Sequence, residues 1–418
     1  MKTNMKFGIG VILAAMLLVS MAFVPGTAFA NGNNPDNLQK IEFDKNSLEF
    51  AEILDDFETV TVNPAIFKKS ADDGLVKLRL LGKEFDIELQ EVSIQSEDAK
   101  LVIVNETEQY VMDAPKIHTY EGKIIGDSNS SVLLTVADDV ILGKVAVEDK
   151  SYYLEQTNKK HNGKVVHVVY VSDAIKKREI LEYNTDGTLE QAPLEILPLP
   201  EKTTSLSTLS TTTVDLLAGY DTEFSNKFSN PTAEINNMVA SANSAFSAAN
   251  VNLNTKAIYY YSNIQNDDAT AVRDNFVSEA SSDRDSDNCD LAFLFSGKEF
   301  DGSVIGKSMQ YTGSSSEAYA VAQMVSPGIF SSYGATYNER CILTAHEIGH
   351  NFGATHSEAY KWNIASTTHF TTMWSPFAGT SYPDYMELEF SNINDHGDSS
   401  HNNIADIIAN KGTVAGFQ

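Results

Sequence analysis

Cysteine is almost missing from this chain: there are two in 418 residues. That excludes a scaffold stapled by many disulfides and a zinc site built from four thiolates. Glycine (24) and proline (11) are near or below ordinary usage, so the chain is neither collagenous nor low-complexity. Positive charge is in deficit, with 30 Lys and Arg against 57 Asp and Glu and a net charge of -27. Such a surface repels a phosphate backbone, and no nucleic-acid partner is expected. Beyond the first thirty residues no run of about 18 uncharged apolar residues occurs, so no stable membrane anchor is expected. What remains is 42% hydrophobic and 21% charged, long enough for two or three domains with real cores.

The first thirty residues read as an export signal. Lys2 and Lys6 precede an uncharged run from Phe7 to Phe23, and Ala28-Phe29-Ala30 supplies a small-x-small cleavage site. The protein is therefore expected to be secreted. From 31 to 196 short segments alternate near period two, as in Val76-Lys-Leu-Arg-Leu-Leu81 and Lys164-Val-Val-His-Val-Val-Tyr-Val171, which predicts a mostly β unit. Residues 197–213, rich in Thr and Ser, read as an exposed connector and a natural place for maturation cleavage, with Lys176-Lys-Arg178 as the alternative. From 214 to 418 strands and helices alternate. Ile235, Met238, Val239, Ala242, Phe246 and Ala249 mark an amphipathic helix opening at Pro231, and Asp290-Leu-Ala-Phe-Leu-Phe295 a buried strand. This half is α/β.

One segment carries the chemistry: His346-Glu347-Ile-Gly-His350-Asn-Phe-Gly353-Ala-Thr-His356. Thr336 and Glu339 have capping-box spacing, so a helix from about Tyr337 places His346 and His350 one turn apart on one face. Gly353 can take the left-handed conformation that ends a helix and turns the chain back to deliver His356. Three nitrogens leave a fourth tetrahedral position for water, the catalytic type of zinc site. Glu347 is then placed as the base acting on that water. Of the remaining histidines, His118, His161, His167, His369, His396 and His401 have no such spacing and are expected to be ordinary.

The extended motif resembles the metzincin zinc endopeptidases, and its surroundings are most similar to the reprolysin-like (adamalysin and ADAM-type) branch. The stretch Asp290–Gly306 is similar to that branch's third strand and following loop, and Thr371-Thr-Met373-Trp-Ser resembles its Met-turn. His118–Gly126, Ser131–Leu134, Leu142-Gly143 and Tyr152–Glu155 resemble pieces of its propeptide. The resemblance implies a metzincin catalytic domain: a twisted, mostly parallel sheet with an antiparallel edge strand, an active-site helix and a Met-turn, preceded by a mostly β propeptide. It implies that Ala320, Val321, Ala322, Gln323 and Met324 form the edge strand that receives substrate, and that Met373 packs beneath the metal. It also implies an N-terminal half that acts as the enzyme's own inhibitor. Ser357 departs from the Asp usual in that branch, and Ser375 is not the Tyr that adds a zinc ligand in astacins and serralysins. No cysteine lies between 31 and 213, so latency falls to bulk occlusion of the cleft, a carboxylate or His118.

Cys289 and Cys341 are expected to pair in an oxidising compartment, with two buried free thiols as the alternative. Asp283-Arg-Asp-Ser-Asp287 and Asp395-His-Gly-Asp398 carry the hard oxygen ligands calcium prefers, but neither has the full spacing of a calcium loop. The function expected is hydrolysis of peptide bonds in protein or peptide substrates, with Zn2+ held by the three histidines and Glu347 as base and then acid. The competing reading is a secreted zinc-binding protein of the same fold that has lost turnover and acts in adhesion or inhibition.

Overall fold

The computed structural model describes residues 37–105, 108–176, 210–302, 304–324, 336–365, 367–375 and 385–418. The segment expected to be an export signal, residues 197–209 of the expected connector, and Lys177 and Arg178 lie outside them.

The N-terminal half is mostly β, as its alternation predicts. Its strands are β1 (Leu38–Lys40), β2 (Glu58–Val62), β3 (Leu75–Leu80), β4 (Lys83–Val92), β5 (Gln95–Val104), β6 (Gln109–Asp113), β7 (His118–Ile124), β8 (Ser131–Val136), β9 (Ile141–Val147), β10 (Lys150–His161) and β11 (Lys164–Val171). Nine of them form an antiparallel sheet in the order β1-β2-β11-β10-β9-β8-β7-β4-β3. A one-turn helix α1 (Phe50–Ile53) and a longer one, α2 (Pro64–Asp72), accompany it. On β3 every second residue is buried, and Val76, Leu78 and Leu80 share one core with Phe67 and Ala71 of α2. The middle strands are buried on both faces. Val132 and Leu134 of β8 join that core, while Leu133 between them points into the core of the C-terminal half. A strand's period of two makes such a two-sided layer.

The C-terminal half runs β12 (Thr212–Asp221), α3 (Thr222–Lys227), α4 (Pro231–Phe246), β13 (Val251–Tyr261), α5 (Ala269–Ser286), β14 (Leu291–Ser296), β15 (Gly306–Ser308), β16 (Tyr319–Gln323), α6 (Tyr337–Asn351), β17 (Lys361–Ile364), β18 (Thr367–Phe370), β19 (Tyr385–Met386) and α7 (Asn403–Val414). The strand expected from Val214 opens two residues earlier, at Thr212, inside what reads as connector. Helix α4 starts at Pro231, where Asn230 caps it by accepting from the Ala233 N–H.

The second sheet has seven strands in the order β15-β16-β14-β12-β13-β5-β6. Two expectations need correction. Across the described residues strand pairing is mostly antiparallel, because the whole nine-stranded sheet is; parallel pairing joins β16, β14, β12, β13 and β5, with one further pair, β18 with β19. And β16, which carries Ala320, Val321, Ala322 and Gln323 and ends before Met324, is an inner strand: it runs parallel to β14, and β15 covers its other side in antiparallel register. The antiparallel edge on this side is Gly306–Ser308, and β6 is the antiparallel edge at the other end. No helix among the described residues is long and apolar enough to cross a membrane.

The hinge between β12 and α3 is held by a buried carboxylate. Asp221 caps α3 through the Phe224 N–H, accepts from the Gly297 N–H, each at 2.8 Å, and from the Ser296 hydroxyl. Burial outweighs these donors and raises its pKa to about 6. Between about pH 4 and 6 the folded protein therefore holds a proton that the unfolded chain has lost, and stability from this group falls as pH rises. Asp221→Asn should match the wild type below pH 4 and become progressively more stable than it up to pH 6, by as much as about 3 kcal/mol. Melting curves of both proteins from pH 4 to 7 measure this; parallel curves would show that Asp221 is already ionised at pH 4.

Candidate metal centre

Helix α6 begins with the capping box read from the sequence, the Thr336 N–H donating to Glu339 Oε2 at 2.6 Å. It ends in a Schellman motif. Ala354 N donates to Gly349 O and Gly353 N to His350 O, both at 3.0 Å, with Gly353 at φ 92°. The reversal brings His356, in a single 3-10 turn, back to the helix face. Asn403 of α7 clamps the returning chain by accepting from Thr355 N at 2.7 Å and donating to Thr355 O at 3.2 Å.

The three imidazoles meet. His356 Nε2 lies 3.0 Å from His346 Nε2 and 3.1 Å from His350 Nε2, and all three side chains are buried. His346 Nδ1 donates to Thr372 O at 2.7 Å and His350 Nδ1 to Ala354 O at 2.9 Å. A carbonyl oxygen only accepts, so these bonds place the protons on Nδ1 and turn the Nε2 lone pairs inward. Burial, with His350 adding to it, holds the His356 pKa down to about 3, so its ring is neutral. Converging lone pairs repel one another unless a cation sits between them. Tetrahedral ligation at about 2.0–2.1 Å would set the nitrogens about 3.3 Å apart, within a few tenths of an ångström of the spacing here. The residues fit a zinc ion.

Glu347 is fully buried beside His346, and its Oε2 accepts from the hydroxyl of Ser308 on β15. A Cβ at Gly306 would fall 2.1 Å from Glu347 Oε1. Residues i and i+2 of a strand face the same way. The edge strand thus presents its bare position and its hydroxyl to one carboxylate. Sequence reasoning missed both residues: three residues holding a Gly and a Lys show no strand periodicity, although Gly-x-Ser two apart was there to be read. Met373 is buried in the turn closed by Trp374 N to Thr371 O, and its sulfur would lie 3.0 Å from a Cβ on Gly349 of α6. An open cleft of about 460 Å³ adjoins His350 and is bordered by Lys307, Ser308 and Gln310.

Other expectations fare differently. Cys289 and Cys341 are both free and buried. Cys289 follows α5 near Lys256 and Asp215, whereas Cys341 lies on α6 near Ser241 and Glu234, so they belong to different neighbourhoods. Burial pushes their thiols up to about 12 and about 11. The acidic run at 283–287 is the end of α5 and is taken by protein donors: Tyr261 and Gln109 donate to Asp283, and Lys100 and Tyr259 engage Asp287. Asp398 accepts from His401 Nδ1, while Asp395 comes close to Glu389 and His396. Nothing here supports calcium. His118 pairs with Glu91 at 2.6 Å on the nine-stranded sheet and makes no contact with the three histidines. His167 is a core histidine whose pKa burial lowers to about 4. His369 and His396 stack on Trp362.

Residues 210–382 match the Reprolysin_5 model of metallo-peptidase family M12. No curated protein matches the chain. Among solved structures, metalloproteinase-II from Bacteroides fragilis aligns over 80% of this chain and 90% of its own at 10% identity and a TM-score of 0.42. A chaperone-substrate complex aligns over 50% of this chain at 13% identity and a TM-score of 0.38, and this chain spans only 36% of that one. Overlap this slight bears on no functional argument.

Proposed function

We propose that this protein is a secreted zinc-dependent endopeptidase, made with a cleavable signal at 1–30 and an N-terminal segment, 31–196. The observation that carries the reading is the meeting of three Nε2 atoms beside a buried glutamate. The match of residues 210–382 to an M12 metallo-peptidase model supports it. His346, His350 and His356 would hold the ion, which when bound polarises a carbonyl and lowers the pKa of water toward about 7. Glu347 accepts the proton of the attacking water and later delivers it to the leaving amine. Ser308 of β15, whose hydroxyl reaches both Oε2 and the backbone carbonyl of Glu347, braces the carboxylate. An extended substrate would add to β15, the outermost strand on that side of the sheet among the described residues, its backbone supplying affinity and its side chains selectivity.

Treatment of the purified protein with a chelator should abolish casein hydrolysis, and one equivalent of zinc should restore it. Casein hydrolysis that survives complete metal removal would contradict the proposal. Ser308→Ala should lower kcat roughly tenfold, the cost of a hydrogen bond to a charged group, while KM and zinc content stay near wild type and Ser308→Thr recovers most of the loss. Steady-state kinetics separates the two constants; a change in KM alone would place Ser308 in substrate binding instead.

A further inference from the structure

We infer that the N-terminal half is a permanent partner of the C-terminal half: once the connector is cut the two stay together as a one-to-one complex, and the complex is the working form.

Three observations carry this. The first is the shared sheet. β13 pairs in parallel with β5 over five consecutive rungs, from Ala257↔Lys100 to Tyr261↔Val104, and β6 completes that side. Loss of residues 37–176 would leave β13 as a long open edge, which folded proteins avoid.

The second is α4. A surface helix keeps one face in water, yet 13 of the 16 residues here are buried, among them Glu234, Asn236, Asn237 and Ser241. One side packs on β13 and α6 and the other on β7, β8 and β9. Ser241 meets Tyr337 of α6, but the other three are met by groups of the N-terminal half. Asn237 Nδ2 donates to Thr135 Oγ1 at 2.9 Å, Asn236 Nδ2 to Gln95 Oε1 at 3.1 Å, and Gln156 Nε2 to Glu234 Oε2 at 3.1 Å. The polar side of α4 is written for a protein surface, not for solvent.

The third is an ion cluster on the metal-bearing helix itself. Arg340, six residues before His346 on α6, contacts Glu155 of β10 at 2.6 Å and Glu234 of α4 at 2.8 Å, with no side chain of the three more than 5% exposed. Tyr170 of β11 donates to the other oxygen of Glu155. Tyr153 packs its ring 5.4 Å from that of Tyr337, the first residue of α6. The N-terminal half thus holds the start of the helix that carries two of the three histidines. It does so without closing the cleft beside His350, whose lining among the described residues comes from the C-terminal half alone.

The experiment uses the full chain with a specific-protease sequence inserted between 197 and 209, cut to completion and run on a sizing column at physiological salt. The two fragments should co-elute at the mass of the uncut protein, and casein hydrolysis by that peak should stay within about twofold of the uncut protein's. Separation of the fragments in native buffer would overturn the inference, as would loss of casein hydrolysis on cutting alone. Co-elution is read without any assay of turnover, so it stands or falls apart from the peptidase reading; only the activity arm rests on that reading. Glu155→Gln, which keeps the shape, should speed dissociation of the cut complex at least tenfold, whereas Lys150→Ala, at an exposed ion pair with Asp173, should not. An unchanged rate in Glu155→Gln would remove the ion cluster from the account.

Discussion

Glu347→Gln should cost about a hundredfold to ten-thousandfold in casein hydrolysis while the protein keeps its fold and one equivalent of zinc. Glu347 sits next to His346 in sequence, so on a helix its side chain leaves at a different angle and is not one of the three groups that converge. It is fully buried, braced by the Ser308 hydroxyl, and opposite a position where even a methyl group would collide with it. Gln fills the same space and keeps an oxygen for Ser308, but at neutral pH its amide cannot take a proton. Losing a general base and acid removes a factor of about 10² to 10⁴. Metal analysis beside a casein assay tests this. Equal activity in both proteins would dismiss the role given to Glu347; loss of zinc along with activity would make it a structural residue.

Arg340→Met should lower stability by about 3–5 kcal/mol, the largest effect expected of any single change away from the metal. The guanidinium lies between two carboxylates, each at least 98% buried. Burial already raises the pKa of Glu234 against the pull of Arg340. Without the cation nothing opposes that burial, so the Glu234 carboxyl takes up a proton more readily than it does in the unfolded chain. The deficit is therefore largest at neutral pH and shrinks as pH falls toward the range where Glu234 is neutral. Thermal melts at pH 7 and pH 4.5 measure it; a deficit that does not change with pH would mean that lost packing, not charge, is the cause.

Much of the metal centre was legible because its signals are local. The capping box at Thr336 and Glu339, the four-residue step between histidines and the glycine at 353 each act through one turn of backbone, and the structure shows each doing so. The helix from Pro231 was read from apolar spacing for the same reason. Long-range pairing was not legible. Tyr319–Gln323 looks like a strand anywhere, and nothing in its residues says that a three-residue segment, Gly306–Ser308, takes the edge outside it. The parallel pairing of β5 with β13 joins residues more than 150 apart in the chain. No periodicity reports such a partner, and for that reason the two halves read as a detachable pair. The same limit applies to Cys289 and Cys341: counting thiols says nothing of the distance between them. The buried polar residues of α4 were the one visible hint, since Glu234, Asn236 and Asn237 interrupt what an ordinary core helix would bury.

Peptidase activity in this protein requires three imidazoles to close around one ion. X-ray absorption at the zinc edge of the purified protein measures this directly. Three nitrogen neighbours and one further light atom at about 2.0–2.1 Å, with the nitrogen shell lost in His356→Ala, is the expected result. A protein isolated without zinc and unable to take it up, or a zinc shell containing sulfur, would contradict it.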